Sequence, residues 1–121
     1  MTRETGSVSI VVAALAAAIL VLGLGAADLA RALVAVSRAQ SAADAAALAA
    51  AQELALPSGR EPTDAASEYA ARNGAVLIEC RCEVGTLEAT VEVRVPVGYL
   101  STLGDERSVD ARARAVVDPG S

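Results

Sequence analysis

The chain has 121 residues, of which 54% are hydrophobic and only 2% are aromatic. Its formal net charge is −5, all ten basic residues are arginine, and there is no histidine. The acidic balance argues against a nucleic-acid surface, because phosphate binding needs a basic patch. Without histidine there is no Ser-His or Cys-His couple, and two cysteines are too few for a structural zinc site. We therefore expect neither an enzyme nor a protein that binds a metal or cofactor.

An uncharged apolar segment dominates the N-terminal part. Residues 7–27 are mostly Val, Ile, Leu and Ala. A helix of this length, at about 1.5 Å per residue, covers the roughly 30 Å hydrocarbon core of a bilayer. No proline occurs between Ser7 and Leu56, and the alanine-rich residues 39–55 strongly favour a helix. The sequence predicts one long helix with a transmembrane half, residues 7–27, and an extramembrane continuation, residues 28–55.

Three interpretations of the N-terminal end compete. Residues 1–6 form a short polar head before the apolar segment. Gly25 and Ala27 supply the small residues of a signal-peptidase site, which would make the chain a secreted protein. The apolar segment is longer than a usual signal-peptide core, however, and the helical pattern continues past Ala27. An uncleaved signal anchor and a short leader that is cut after Gly6 are the other two interpretations.

The charges near the span do not decide its orientation. Arg3 lies before the span and Arg31 and Arg38 lie after it, so the count of positive charges favours neither side. Asp28 and Arg31 are one helical turn apart, and we expect them to form an ion pair at the edge of the membrane.

Beyond the span, the helix is predicted to be amphipathic, with an apolar side that packs on the chain's own C-terminal domain or on a neighbouring copy. The predicted apolar side consists of Leu29, Leu33, Val36, Gln40, Ala43, Ala47 and Ala51. The predicted polar side consists of Asp28, Arg31, Arg38, Gln52 and Glu53.

The C-terminal half predicts a small α+β domain, residues 63–118, between a turn-rich linker, residues 56–62, and a tail, residues 119–121. A helix is expected first, with Tyr69 on its buried side, and then three strands that alternate between apolar and polar residues. Together with the long helix they are expected to form an α+β fold, with the three-stranded antiparallel sheet packed on the helices. The predicted bounds are Thr63–Asn73 for the helix and Ala75–Glu83, Leu87–Val95 and Val109–Val117 for the strands.

The first two strands are expected to form a hairpin. A two-residue turn at Val84 and Gly85 would place Arg81 opposite Glu88. Pro96 is expected to end the second strand.

The cysteines of the first strand share one face with Val76 and Ile78 in this interpretation. Cys80 and Cys82 are the candidate disulfide, although residues two apart on a strand lie near the upper limit of bridgeable distance. Buried thiols and a bond between subunits remain as alternatives.

The order of these segments resembles a known family. A short leader that ends in Gly6, a span, and then DLARALVAVSRAQSAADAAALAAA over residues 28–51 are similar to the TadE/TadG-like proteins of tight-adherence pilus systems. Within that family, the chain is most similar to short TadE-like proteins encoded beside helicase and secretion genes in high-GC Gram-positive bacteria. The most specific part is QSAADAAALAAA, residues 40–51.

The resemblance implies a minor pilin or pseudopilin. A prepilin peptidase would cut after Gly6 and leave Ser7 as the mature N-terminus, in a single-pass protein of the cell membrane. Its N-terminus would be cytoplasmic and its C-terminal domain extracellular. The implied partners are membrane lipid, other pilin subunits and the pilus assembly platform, with no cofactor.

One position departs from the pattern of type IV-like pilins, which carry a glutamate at the fifth mature residue. Counted from Ser7, this position is Val11. The departure favours a tip or initiating subunit over one that is added repeatedly. A membrane-anchored or secreted surface binding domain unrelated to pili is the alternative function.

Overall fold

The chain folds as two helices followed by a three-stranded antiparallel sheet. The structure is a computed structural model and describes residues 2–100 and 105–118. The expected α+β arrangement, with a long first helix and a short second one, is confirmed. The elements are α1 (Thr2–Ala55), α2 (Pro62–Arg72), β1 (Val76–Arg81), β2 (Glu88–Leu100) and β3 (Asp105–Val116).

The α1 helix continues from the apolar segment into the alanine-rich segment without interruption. It ends at Ala55, two residues before Pro57. The Glu53 carboxylate accepts hydrogen bonds from the backbone N–H of Ser58, at 3.2 Å, and from its hydroxyl, at 2.7 Å. These bonds fix the direction in which the chain leaves the helix.

The α2 helix has Pro62 in its first turn, where the fixed φ of proline suits a helix and its missing N–H costs nothing. Gly74 follows the helix with a φ of 74°, in the left-handed region that ends many helices. Ala65, Ala66 and Ala70 are buried.

Tyr69 was expected on the buried side of α2, and this expectation was wrong. Its side chain is 37% exposed, and the guanidinium of Arg72 lies 4.8 Å from the centre of its ring. The buried side of α2 is lined by alanine, so the helix approaches its neighbours closely and the larger ring lies at the edge.

The strands follow one another in the order β1-β2-β3, with β2 in the centre. Pro96 does not end β2, contrary to the sequence-based expectation, because β2 continues to Leu100. β1 pairs with β2 only as far as Arg94, so Pro96 lies where one side of β2 has no partner strand. Proline is tolerated at such an edge, and a register shift between Pro96 and Gly98 accommodates it.

The hairpin of β1 and β2 is longer at its turn than expected. Arg81 pairs in register with Thr90 and not with Glu88. The Arg81 guanidinium instead contacts Glu79 on its own strand, at 2.9 Å, and Glu88 contacts Arg114 of β3, at 2.7 Å. The expected Arg81–Glu88 pair is therefore wrong.

The alternation of β1 is also different from the predicted one. A register shift between Leu77 and Glu79 changes which side chains face the helices. Leu77 packs against the core, whereas Val76 and Ile78 are exposed. Cys80 and Cys82 still pack against the core, as expected.

The core lies between α1 and the sheet, and it is built from small residues. The largest fully buried side chains are those of Val91, Val93 and Val95, which alternate along β2. A row of alanines on one side of α1 lies opposite them. These small side chains let the helix approach the strand closely. The alanines are Ala35, Ala39, Ala42, Ala43, Ala46, Ala47, Ala50 and Ala51.

The face of α1 that contacts the domain is therefore the predicted one only in part. Ala43, Ala47 and Ala51 are buried as expected, but Leu29 and Leu33 are each 60% exposed. The larger aliphatic side chains near the membrane are exposed, whereas the row of alanines in α1 is buried in the core. Asp28, expected on the polar side, is buried.

The outer face of the sheet carries ion pairs between strands. Arg94 of β2 contacts Asp110 of β3 at 2.8 Å, and Glu92 contacts Arg112 at 3.0 Å. Both pairs lie directly opposite one another in the register. Such exposed pairs add little individually, but they fix the register in which two half-buried strands meet.

Candidate functional site: the membrane span and the start of the domain

No described part of the domain buries the apolar first half of α1. Among the described residues, one helix is long and apolar enough to cross a membrane, and its apolar part has no buried residue. Its large side chains would be in contact with water if no lipid covered them, which is unfavourable for a surface of this size. α1 therefore anchors the chain in a membrane as a single span. The exposed side chains include Val8, Ile10, Val12, Leu15, Ile19, Leu20, Val21, Leu22 and Leu24.

The predicted cleavage site lies at the start of this exposed segment. Gly6 and Ser7 are both exposed residues of α1, and a side chain added at Gly6 would meet no atom within 4 Å. No described part of the folded domain therefore covers this peptide bond. Cleavage between Gly6 and Ser7 stays a prediction.

Val11 is also exposed, in the apolar part of the span. A carboxylate at this position would face the hydrocarbon or another helix, and not the chain's own domain. The side chain present is apolar and carries no charge that could pair with a neighbouring subunit.

The Asp28–Arg31 pair lies at the end of the span. The nearest oxygen of Asp28 and nitrogen of Arg31 are 3.9 Å apart, and the side chain of Asp28 is only 8% exposed. A carboxylate removed from water is costly unless charged or polar groups surround it. The pair lies between the lipid-facing half of α1 and the half that carries the domain.

Three aliphatic residues continue the apolar surface of the span beyond this pair. Leu29, Leu33 and Val36 follow one another at helical spacing and are exposed on α1. We call them the outer stripe. Helical spacing placed them on the apolar side of α1 together with Ala43 and Ala47, and left open whether that side packs on the domain or on a neighbouring copy. The regular recurrence of alanine at residues 35, 39, 42, 46 and 50 would have identified the core side.

Cys80 and Cys82 are joined by a disulfide across the end of β1, with their Cα atoms 5.5 Å apart. The sequence left three alternatives open, namely this disulfide, free thiols and a bond between subunits. Both residues are half-buried against the core. The bond fixes the backbone where the strand leaves the sheet.

The acidic side chains with shifted pKa values belong to ion pairs on the surface. A hydrogen bond from Arg60 lowers the pKa of Glu68, and one from Arg94 lowers the pKa of Asp110. A general acid needs a shift in the opposite direction. Within residues 2–100 and 105–118, no group of three His, Cys, Asp or Glu could hold a metal ion.

One comparison with known proteins matches the long helix α1. The Tad family model, described as "Putative Flp pilus-assembly TadE/G-like", matches residues 6–53. The matched segment coincides with nearly all of α1, and it confirms the resemblance read from residues 28–51. No curated protein and no solved structure shows a significant match to the chain. Residues 6–53 of the chain are therefore similar to the TadE/G-like family of Flp pilus-assembly proteins.

Proposed function

We propose that the chain is a minor pilin or pseudopilin of a tight-adherence pilus or a related secretion apparatus. In this proposal a prepilin peptidase removes residues 1–6, the N-terminus of the span is cytoplasmic, and the α+β domain lies outside the cell. Its partners are other pilin subunits and the assembly platform. The proposal rests on α1, most of which matches the family model. One half of this helix is apolar and exposed, and the other half packs on the domain.

The exposed half of α1 is suited to exchange between two apolar surroundings. Lipid covers it while the subunit is in the membrane, and neighbouring helices would cover it in an assembly. The outer stripe extends this surface past the membrane edge without involving the domain core. A subunit could therefore change its surroundings along α1 while the sheet and α2 stay packed.

Val11 supports a role at the tip or at initiation. Residues 7–27 contain no acidic side chain, so the span offers no carboxylate to the amine of an adjacent subunit. A carboxylate in hydrocarbon is costly unless paired, and this cost drives a charged subunit to dock against its neighbour. A subunit without this charge lacks that drive. It does not need an adjacent subunit whose amine would pair with the charge.

The intact mass of the protein purified from membranes tests the proposal. We expect a mature chain that begins at Ser7 in cells that contain the prepilin peptidase and an uncut chain in cells without it. Gly6→Leu should prevent the cut. Gly23→Leu is a matched control, because Gly23 also lies in α1 with no atom within 4 Å of an added side chain. This variant should still be cut.

Two outcomes would contradict the pilin proposal. A chain that begins after Ala27 would indicate ordinary secretion, and an uncut chain in the presence of an active peptidase would indicate a simple membrane anchor.

A further inference from the structure

A groove runs along α1 just beyond the span, and we call it the α1 groove. Its lower section lies between α1 and β2 and has a volume of about 290 Å³. Its upper section lies between α1 and the end of α2 and has a volume of about 590 Å³. Val34 and Arg38 line both sections, so the two adjoin along α1.

The two sections differ in polarity. The lower section, which is closer to the membrane, has mainly apolar walls, and the upper section has hydroxyl and amide groups. An amphipathic molecule would match this change along its own length. The apolar walls are Ala30, Val34, Ala35, Pro96 and Val97, and the polar groups belong to Ser37, Ser41 and Asn73.

Positive charge is concentrated in the groove, although the chain as a whole is acidic. Arg31 and Arg38 line the lower section, and Arg38 and Arg72 line the upper one. No carboxylate is among the described residues that line either section. Arg31 and Arg72 pair with acids outside the walls, Asp28 and Glu68.

Arg38 differs from these two arginines. In the described part of the chain, its guanidinium has no ion-pair or hydrogen-bond partner. The stem of the side chain passes over Gly74, where an added Cβ would lie only 3.3 Å from Cδ of Arg38. Glycine at this position therefore leaves room for Arg38 at the junction of the two sections. The groove thus holds an uncompensated positive charge.

The position of the groove indicates where an anion would come from. Arg31 lies four residues beyond Ala27, the last residue of the uncharged segment, which is a rise of about 6 Å along the helix. The headgroup region of a bilayer extends roughly 5–8 Å beyond the hydrocarbon on each side. Arg31 therefore lies at the height of lipid phosphates. The backbone of Arg38 lies seven residues farther along the helix, a rise of about 10 Å. Its long side chain leans back toward the N-terminus, which here is toward the lipid.

We propose that the α1 groove binds the headgroup of an anionic phospholipid from the leaflet on the side of the domain. The glycerol region would lie against the apolar walls, Arg31 and Arg38 would bind the phosphate, and the hydroxyls of the headgroup would reach the upper section. This site is independent of the proposed pilin function, because it requires only that α1 is anchored in a membrane.

Lipid binding to the full-length protein in detergent micelles tests the proposal. We would titrate phosphatidylglycerol and phosphatidylcholine with the same acyl chains and count the bound lipids by native mass spectrometry. The protein should bind phosphatidylglycerol in preference to phosphatidylcholine. Arg38→Gln should weaken the binding of phosphatidylglycerol roughly fivefold, the effect of one arginine near an anionic lipid surface. Because Arg38 is exposed and unpaired in the described structure, the variant should keep the circular dichroism spectrum of the parent.

Arg107→Gln is the matched control. Arg107 is an exposed arginine of β3 and is paired in register with Gly98. It therefore lies at about the height of the lower section of the groove but does not line the α1 groove. This variant should retain the affinity of the parent. Ser37→Phe, which fills the groove without changing its charge, should weaken binding as Arg38→Gln does.

Three results would overturn the lipid site. Equal binding of phosphatidylcholine would show that the charge is not recognised. An equal loss in the Arg38→Gln and Arg107→Gln variants would show a general attraction to anionic lipid. Equal competition by soluble glycerol phosphate would show that the groove recognises free phosphate and not a lipid.

Discussion

Single residues of α1 mark the change from lipid to protein surroundings. The span ends at Ala27, and the side chain of Asp28, the first charged residue after it, is buried beside Arg31. Leu29 then faces outward while Ala35, about two turns later, faces the sheet. Within a few residues of the membrane edge, α1 thus has one side that faces outward and another that packs on the sheet.

The clearest test at this scale concerns Val11. Replacing Val11 with Glu places a carboxylate at the fifth residue after the predicted cut, where it could pair with the amine of a neighbouring subunit. We expect the variant to be incorporated repeatedly along a filament, because an unpaired carboxylate in hydrocarbon costs several kcal/mol. The measurement is the number of labelled copies per filament.

Val12→Glu is the control for this test. Val12 is an equally exposed residue of the span, so the variant has the same cost in lipid but presents the charge in a different direction around the helix. Unchanged copy number in Val11→Glu, or an equal increase in both variants, would argue against the role assigned to the missing charge.

At the scale of elements, periodicity predicted most of the structure. The alanine-rich segment predicted α1, the Pro62 and Gly74 signals bounded α2, and the alternation in β3 agrees with its half-buried residues Val109, Ala111, Ala113 and Ala115. These features depend on local backbone preferences. The register shifts in β1 and at Pro96 depend on what the neighbouring strand offers, which sequence pattern alone does not contain.

The same limit applies to the candidate site. The span could be found from the sequence because it depends on position along one helix, whereas Gly6 and Val11 were singled out through the family resemblance and their roles stay predictions. The outer stripe and the α1 groove depend on which side of α1 the sheet covers. The sequence indicated an amphipathic helix, but helical spacing placed Leu29 and Leu33 on one side with the alanines that pack on the domain, whereas both leucines are exposed.

The close packing of α1 on β2 gives a prediction about elements. Ala46 is fully buried among the core alanines, and leucine there would have to push the helix away from the valines of β2. We expect Ala46→Leu to lower the free energy of unfolding of the domain by about 1–3 kcal/mol, the usual cost of overpacking. Chemical denaturation followed by circular dichroism measures the change.

Gln52→Leu is the control for the packing test. Gln52 is exposed on α1, so this variant adds a leucine to the same helix without crowding the core. It should remain within about 0.5 kcal/mol of the parent, as surface substitutions usually do. A stable Ala46→Leu variant would mean that the space between α1 and β2 is wider than the structure places it.

At the scale of the whole molecule, α1 connects two different environments. Lipid covers one half of the helix, and the domain's sheet and α2 pack on the other. The buried core of the domain holds few large side chains, and the valines of β2 belong to one core cluster with the alanines of α1. Its attachment to the membrane therefore depends on the continuity of one helix and not on a separate linker.

Hydrogen exchange of the full-length protein in lipid nanodiscs tests this continuity most directly. We predict slow exchange of the backbone amides from the span through residue 55, with no rapidly exchanging break near Asp28. Rapid exchange across residues 28–55, or a break that divides α1 into two separate helices, would contradict the account.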